Sequence, residues 1–401
     1  MNATLNLQSI RQARIAFGAE GGKPSLSERF AAVAKIAAAH ADAVDREARF
    51  PAETFAAVKA EGLLGLLVPQ KFGGPEAPLA EIVDGCAMLG RACASSGMIF
   101  AMHHCALACL VRHAGDDPWR NDLLRDIARN QLLIASSTTE GVNGGNVRVS
   151  EAPILTADGR ISLDRDASCI SYGEQADIII STARRSPEAA PSDQVLVAFR
   201  CEQATLTRTQ NWDSLGMRGT CSVGFKLHGE GSPAQVYPDA YERISARTMV
   251  PTTHLLWAAV WSGVASGAVG RAREFVRHAA RAAGGALPPA AARLSEARLS
   301  LQTLRSLVMA ALQQCERDQL SGADAKLDLG LLKIEASELA VRTVMIAMRT
   351  TGLPGYRNDT PFSMSRYLRD ILSTPIMINN DRILGNLGPA IMMAEVPTAF
   401  R

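Results

Sequence analysis

The chain has 401 residues, of which 47% are hydrophobic, 20% charged and 5% aromatic. Lys and Arg number 42 against 40 Asp and Glu, a formal charge of +2, and this balance excludes a strongly basic nucleic-acid binder and an acidic tail protein. The composition also excludes a disordered chain and a small disulfide scaffold, and at about 100–200 residues per domain the length fits two or three domains around a large core.

From Pro24 to Asn130 the hydrophobic period is helical. Ser27 and Glu28 open a helix running through Ala41, and Pro51 suits the first turn of a helix over Ala52–Glu61 that Gly62 closes. Gly73-Gly74-Pro75 marks a turn before apolar helices over Ala80–Ala94 and Met98–His113. From Gln131 to about His228 the period shortens. Leu132–Ser136, Val147–Leu155, Asp177–Thr182, Gln194–Phe199 and Ser222–His228 read as strands, with no helix between them, which predicts an antiparallel barrel or sandwich. Helical spacing returns from Tyr241: long helices over Ala246–Ala283, Ala290–Ser321 and Asp328–Thr351 and a shorter one after them predict a four-helix bundle. Gly263, Gly267 and Gly270 on closely related faces of the first would let another backbone come close. The expected architecture is α+β: an all-α domain over 1–130, a β-domain over 131–240 and a helical bundle over 241–401.

None of the eight cysteines has C-x-x-C spacing and most lie in apolar runs, which suits a reduced, cytoplasmic protein without a metal site. The segment through Phe17 has no uninterrupted apolar run, so no secretory signal is expected, while Arg11 and Arg14 ahead of any acidic residue keep a transit peptide open. The longest uncharged stretch, Thr248–Gly270, contains Pro251, His254 and three glycines and reads as a buried helix, not a membrane span. Phosphate-loop, nucleophile-elbow, zinc-helix and Rossmann glycine motifs are all missing.

Five segments in order carry a resemblance. Gly62-Leu63-Leu64-Gly65-Leu66-Leu67-Val68-Pro69 with Phe72-Gly73-Gly74 comes first. Ile134-Ala135-Ser136-Ser137-Thr138-Thr139-Glu140-Gly141, then Gly144-Gly145-Asn146, comes next, followed by Cys169-Ile170-Ser171-Tyr172-Gly173 with Ala176-Asp177. Leu215-Gly216-Met217-Arg218-Gly219-Thr220 is the fourth, and Gly352, Gly355-Tyr356 and Arg369-Asp370 the fifth. Together the chain resembles the acyl-CoA dehydrogenase superfamily, whose fold of helical domain, β-domain and four-helix bundle matches the reading from periodicity.

The resemblance implies a non-covalent flavin, FAD before FMN, between the β-domain and the bundle. It puts Ser137, Thr138 and Thr139 on the flavin segment, where hydroxyl or main-chain groups bond the ring, and Ser171 beside flavin N5. Cys169 replaces a tryptophan that shields the flavin, and Gly145 replaces a serine that touches the thioester ligand; Arg218 belongs to the same ligand-side motif set. Arg281 matches an arginine that reaches the FAD pyrophosphate of a neighbouring subunit, and Arg349 stands where a glutamine near the adenine end is usual, close to Gly352. A shared FAD implies a homotetramer or homodimer. The implied substrate is an acyl thioester of CoA or a carrier protein, with an acceptor such as an electron-transfer flavoprotein.

Removing a thioester α-proton requires a positioned base. The family carries a glutamate at one of two positions, which here fall on Ile378 and near Thr253; neither is acidic. Asp381 and His254 are the nearest replacements, although a helix cap or ion pair would explain Asp381 and core packing His254. His103-His104 point about 100° apart on a helix and read as core or pocket-lining residues. Three functions follow: α,β-dehydrogenation of an acyl thioester; oxygen activation with reduced flavin, which needs no glutamate; or flavin and thioester binding without catalysis.

Overall fold

The computed structural model describes residues 24–142, 146–317 and 323–396. Helix α1 (Leu26–Glu47) starts at a reciprocal cap: the Glu28 N–H donates to Ser25 Oγ at 3.3 Å, and the Ser25 N–H to the Glu28 carboxylate at 2.8 Å. The entry at Pro24-Ser25 read from the sequence is where the cap falls, and the first turn begins one residue before Ser27. Phe30, Val33, Ala37, Ala41 and Val44 form its buried stripe, and Ala48 ends it in the left-handed region. Helices α2 (Ala52–Ala60), α3 (Leu79–Ala92), α4 (Ala94–Arg112) and α5 (Pro118–Asn130) follow. Among the described residues α4 alone is long and apolar enough to cross a membrane, but 83% of that window is packed inside the protein.

The strands are β1 (Ile134–Ser137), β2 (Ile154–Ala157), β3 (Arg160–Ile170), β4 (Ile178–Arg184), β5 (Gln194–Arg200), β6 (Ala204–Gln210) and β7 (Val223–Gly231). They form two sheets, ordered β1-β4-β5 and β2-β3-β7-β6, and do not close into a barrel. The all-antiparallel expectation is corrected at β1 and β4, which pair in parallel. A parallel neighbour needs a long crossover, and the chain supplies it by building β2 and β3 of the other sheet first. The sandwich alternative fits: Val195, Val197 and Phe199 of β5 pack with Ile161 and Leu163 of β3 in a separate apolar cluster. Strand β3 escaped sequence reading because Arg160, Asp164 and Asp166 mask its alternation of buried Ile161, Leu163, Arg165 and Ala167. Strand β6, largely polar, is an exposed edge.

Short α6 (Tyr241–Ile244) and a π-turn at Ser245–Met249 lead into the 33-residue α7 (Val250–Ala282). This helix joins both helical regions, lying against α3 on one side and against α8 (Ala291–Glu316) and α9 (Ala323–Thr351) on the other. A Cβ on Gly263 would meet the Ala87 carbonyl carbon and the Arg91 nitrogen at 2.9 Å, so the expected close approach falls at this crossing. After short α10 (Leu353–Tyr356) and α11 (Ser365–Ile371), α12 (Asn380–Met393) packs on α9 as the last bundle helix.

Candidate functional site

Three regions meet at the loop 215–220. A Cβ on Gly216 would lie 2.6 Å from the Asp370 nitrogen and would also collide with the Arg369 carbonyl, so only glycine lets this loop sit on α11. The Met217 N–H donates to the Asp370 carboxylate at 2.7 Å, Arg369 Nη1 to the Leu215 carbonyl at 3.0 Å and to Asp45 of α1 at 2.9 Å. Burial pushes the Asp370 carboxyl up to about 6, against the lowering effect of the Met217 N–H. Arg218 Nε donates to the Asp45 carbonyl at 2.8 Å and Nη1 to the Ser214 carbonyl at 2.9 Å. The guanidinium expected on the substrate side is thus occupied in joining the β-domain to α1.

This junction frames a set of hydroxyls at neighbouring strand ends. Ser168 donates its Oγ proton to Thr139 Oγ1 at 3.0 Å and its N–H to the Thr139 carbonyl at 3.3 Å, which places the Thr138–Thr139 stretch beside the end of β3. Thr138, Thr139, Cys169 and Ser171 are all partly exposed there. Ser171 Oγ lies 2.8 Å from Ser222 Oγ, Ser222 Oγ 2.8 Å from Thr220 Oγ1, and Thr220 donates to the Met217 carbonyl at 2.8 Å. Cys169 Sγ is 3.9 Å from Ser171 Oγ, and burial pushes its thiol up. Tyr172, left-handed at φ 44°, turns inward and donates to the Ile134 carbonyl at 2.9 Å. Ser137 departs from its neighbours: its hydroxyl is sealed in the core without a partner, which leaves only main-chain groups for any ligand. Hydroxyls, a thiol and strand-end main chain, with no carboxylate among them, form a donor and acceptor set that suits the carbonyls and ring nitrogens of a flavin. Behind them, Glu140 and Arg165 form a buried ion pair at 3.2 Å, braced by Ser150 at 2.8 Å from Glu140.

Neither expected base position holds an ionised carboxylate. Ile378 is 44% exposed and left-handed at φ 52°, unusual for a β-branched residue. Its carbonyl accepts from Lys333 Nζ at 2.6 Å. Lys333 is fully buried, donates also to Asn380 Oδ1 at 2.6 Å and the Thr374 carbonyl at 3.1 Å, and burial pushes its amine down to about 8. Asn380 in turn donates to Ser337 at 3.0 Å and Glu338 at 2.9 Å, so a polar clamp fixes the segment before α12. Sequence reading missed Lys333, although it falls on the buried stripe of α9 with Leu329, Ala336 and Ala340.

Asp381 is exposed in the first turn of α12, where Asn379 is the cap, accepting the Asp381 N–H at 2.8 Å. A carboxylate there favours the helix N-terminus. His254 is buried and bonded through Nδ1 to the Leu329 carbonyl at 2.8 Å; burial pushes it down to about 4, so it is neutral near pH 7 and a weak base. Adjacent Thr253 is buried near the Cys105 thiol. His103 accepts the Ile134 N–H at Nδ1 (3.1 Å) and donates from Nε2 to the Leu64 carbonyl (2.8 Å), a core role; His104 is buried beside it. Arg281 and Arg349 are exposed on the bundle without a hydrogen bond or ion pair among the described residues, and Gly352 is left-handed at φ 59°. Gly145 lies outside the described residues. No metal-binding cluster of His, Cys, Asp or Glu occurs among the described residues.

Comparison with known proteins supplies the relatives. A dibenzothiophene monooxygenase from Rhodococcus qingshengii is 26% identical over 236 residues, 56% of this chain and 55% of the relative, so that match spans little more than half the relative's length. The cyclohex-1-ene-1-carbonyl-CoA dehydrogenase of Geobacter metallireducens is 25% identical over 80% of this chain and 84% of the relative. Among solved structures, the FMN-bound dibenzothiophene monooxygenase TdsC of Paenibacillus sp. A11-2 superposes with a TM-score of 0.80 at 19% identity, covering 93% of this chain and 98% of that one, a likeness of fold. The acyl-CoA dehydrogenase N-terminal domain model matches residues 27–131 and the C-terminal domain model residues 246–384. With these two domains covering more than half of its length, the chain belongs to the acyl-CoA dehydrogenase superfamily.

Proposed function

We propose that this protein is a flavin-dependent monooxygenase of the acyl-CoA dehydrogenase fold, binding reduced flavin and using oxygen. The observation that carries the reading is the lack of a usable base: Ile378 occupies one position, Thr253 the other, Asp381 is a solvated helix-start residue, and His254 is neutral and tied to a main-chain carbonyl. Dehydrogenation of a thioester needs that base; oxygenation with reduced flavin does not. Bound reduced flavin would supply two electrons, so that one atom of O2 enters the substrate and the other leaves as water.

In this reading Thr138, Thr139 and Ser171 hold the ring with hydroxyl and main-chain groups, and Ser137 contributes only main chain. Cys169 leaves more room over the flavin than a tryptophan would, which suits a ring-shaped organic substrate. The Lys333 clamp fixes the opposite wall at Ile378. FAD remains the first expectation if a second copy of the chain brings Arg281 and Arg349 to the adenine half; FMN requires neither. The matched monooxygenase relatives support this reading. The CoA-ester dehydrogenase relative, matched over more of the chain, favours dehydrogenation as the second.

Two measurements separate them. Anaerobic addition of an acyl-CoA panel to flavin-loaded protein is expected to leave the flavin absorbance unchanged. Aerobic mixing of protein, reduced flavin and an aromatic heterocycle is expected to yield oxygenated product. Bleaching by an acyl-CoA without oxygen would overturn the proposal, and a flavin inert in both assays would point to binding without catalysis.

A further inference from the structure

The hydroxyl chain behind Ser171 has a direction, and the atoms at its closed end set it. A carbonyl oxygen can only accept, so the 2.8 Å contact between Thr220 Oγ1 and the Met217 carbonyl uses the single Thr220 hydroxyl proton. Thr220 Oγ1 can then take part in its 2.8 Å contact with Ser222 only as acceptor, which uses the Ser222 proton. Ser222 Oγ must likewise accept from Ser171, 2.8 Å away, which uses the Ser171 proton. The Cys169 sulfur, 3.9 Å from Ser171, is only a weak acceptor and donor and does not compete with the 2.8 Å oxygen partners for these protons. Thr220 is 3% and Ser222 6% exposed, so bulk water does not reach in to reorient the chain; only the Ser171 end is open. What Ser171 presents outward is a lone pair, not an O–H.

We infer that this site selects the reduced over the oxidised state of its flavin, through Ser171 acting as a hydrogen-bond acceptor. The inference rests on the proposed placement of Ser171 beside flavin N5. Reduced flavin carries a proton on N5 and donates there; oxidised flavin has a lone pair on N5 and would face the Ser171 lone pair. A serine free to rotate would serve both states, whereas one whose proton is committed inward serves the reduced state. Thr220 and Ser222 are the positioning residues, acting through Ser171. The selection suits a protein that must collect reduced flavin from a separate reductase and release it once oxidised.

The test is equilibrium binding of FMN and of FAD to the full chain, each in oxidised form and, anaerobically, in dithionite-reduced form, read by flavin fluorescence and absorbance. The wild type is expected to bind the reduced form about tenfold more tightly, the worth of one good hydrogen bond against a lone-pair clash. Ser222→Ala removes the acceptor of the Ser171 proton, and Thr220→Val removes the start of the chain while keeping its shape. Either frees Ser171 to donate outward, and the preference should fall about tenfold. Thr220→Ser keeps the chain and should keep the preference, which a purely structural role for Thr220 would not predict alongside the valine result. Equal wild-type affinity for both redox states, or a preference unchanged in both Ser222→Ala and Thr220→Val, overturns this inference alone. A folded protein that binds neither flavin overturns the functional reading beneath it and this inference with it.

Discussion

The loop 215–220 and the segment 372–381 both carry positions that the family resemblance assigns to the site, yet they hold the family pattern in opposite ways. In the first, motif residues are spent on one another and on α1: Gly216 lies on the Arg369–Asp370 backbone, Met217 bonds Asp370, Arg218 bonds the Asp45 carbonyl and Arg369 bonds Asp45. In the second, the frame survives through the Lys333–Asn380 clamp while Ile378 stands where the resemblance expects a glutamate. A three-way junction tolerates little change, because each group satisfies partners in two other elements. An exposed side chain on a clamped segment can change without loss of fold. The signatures that reveal a superfamily therefore report its architecture more faithfully than its reaction.

The contrast can be broken most directly at Gly216. Gly216→Ala puts a methyl group against the α11 backbone and is expected to cost about 3 kcal/mol or more, seen as a large drop in thermal midpoint; a neutral result would mean the junction is loose. At the clamp, Lys333→Met takes the ammonium donor from the Thr374 and Ile378 carbonyls and from Asn380 Oδ1, and a loss of about 2–4 kcal/mol by urea unfolding is expected. A smaller effect would show that the segment stands without its ammonium.

The pH dependence sharpens the same contrast. His103 and His254 are each pushed from 6.5 down to about 4 by burial, so their contribution is present above pH 6.5 and is lost as pH falls towards 4, roughly 3 kcal/mol for each. Asp370, raised from 3.8 to about 6, works the other way: its contribution is full below 3.8 and is lost as pH rises through 6. Stability measured from pH 7 to pH 4.5 should therefore fall, and His254→Gln should flatten the slope. A slope unchanged by that variant would mean that His254 is not held neutral. Smallest of all, Asp381→Asn should change stability by under about 1 kcal/mol and turnover not at all; a loss of turnover would make Asp381 the base and restore the dehydrogenase reading. Arg281→Ala should weaken FAD but not FMN, and equal effects on both would remove its adenine-side role.

Much of the site frame was legible in the chain because its constraints are local. Runs of motif residues such as 134–141 and 215–220 sit at strand ends and turns, where hydroxyls and glycines are readable one by one. Lys333 and Asp45 were not legible: each is a common charged residue on a helix, and its significance comes from partners far away in sequence. Ser137 and Thr138 are adjacent and equally polar, yet one is sealed within β1 and the other open just past its end, a difference set by what packs around each.

The sequence by itself determined the helix, strand, helix order, the superfamily and the lack of a glutamate at either base position, since hydrophobic period and residue identity are properties of the chain. Tertiary structure alone decided that β1 and β4 run parallel, that Arg218 serves the junction, that His254 is neutral, and that Ser171 is bonded to Ser222. Each of those depends on burial or on a hydrogen-bond partner distant along the chain, and burial and partners exist only once the chain has folded.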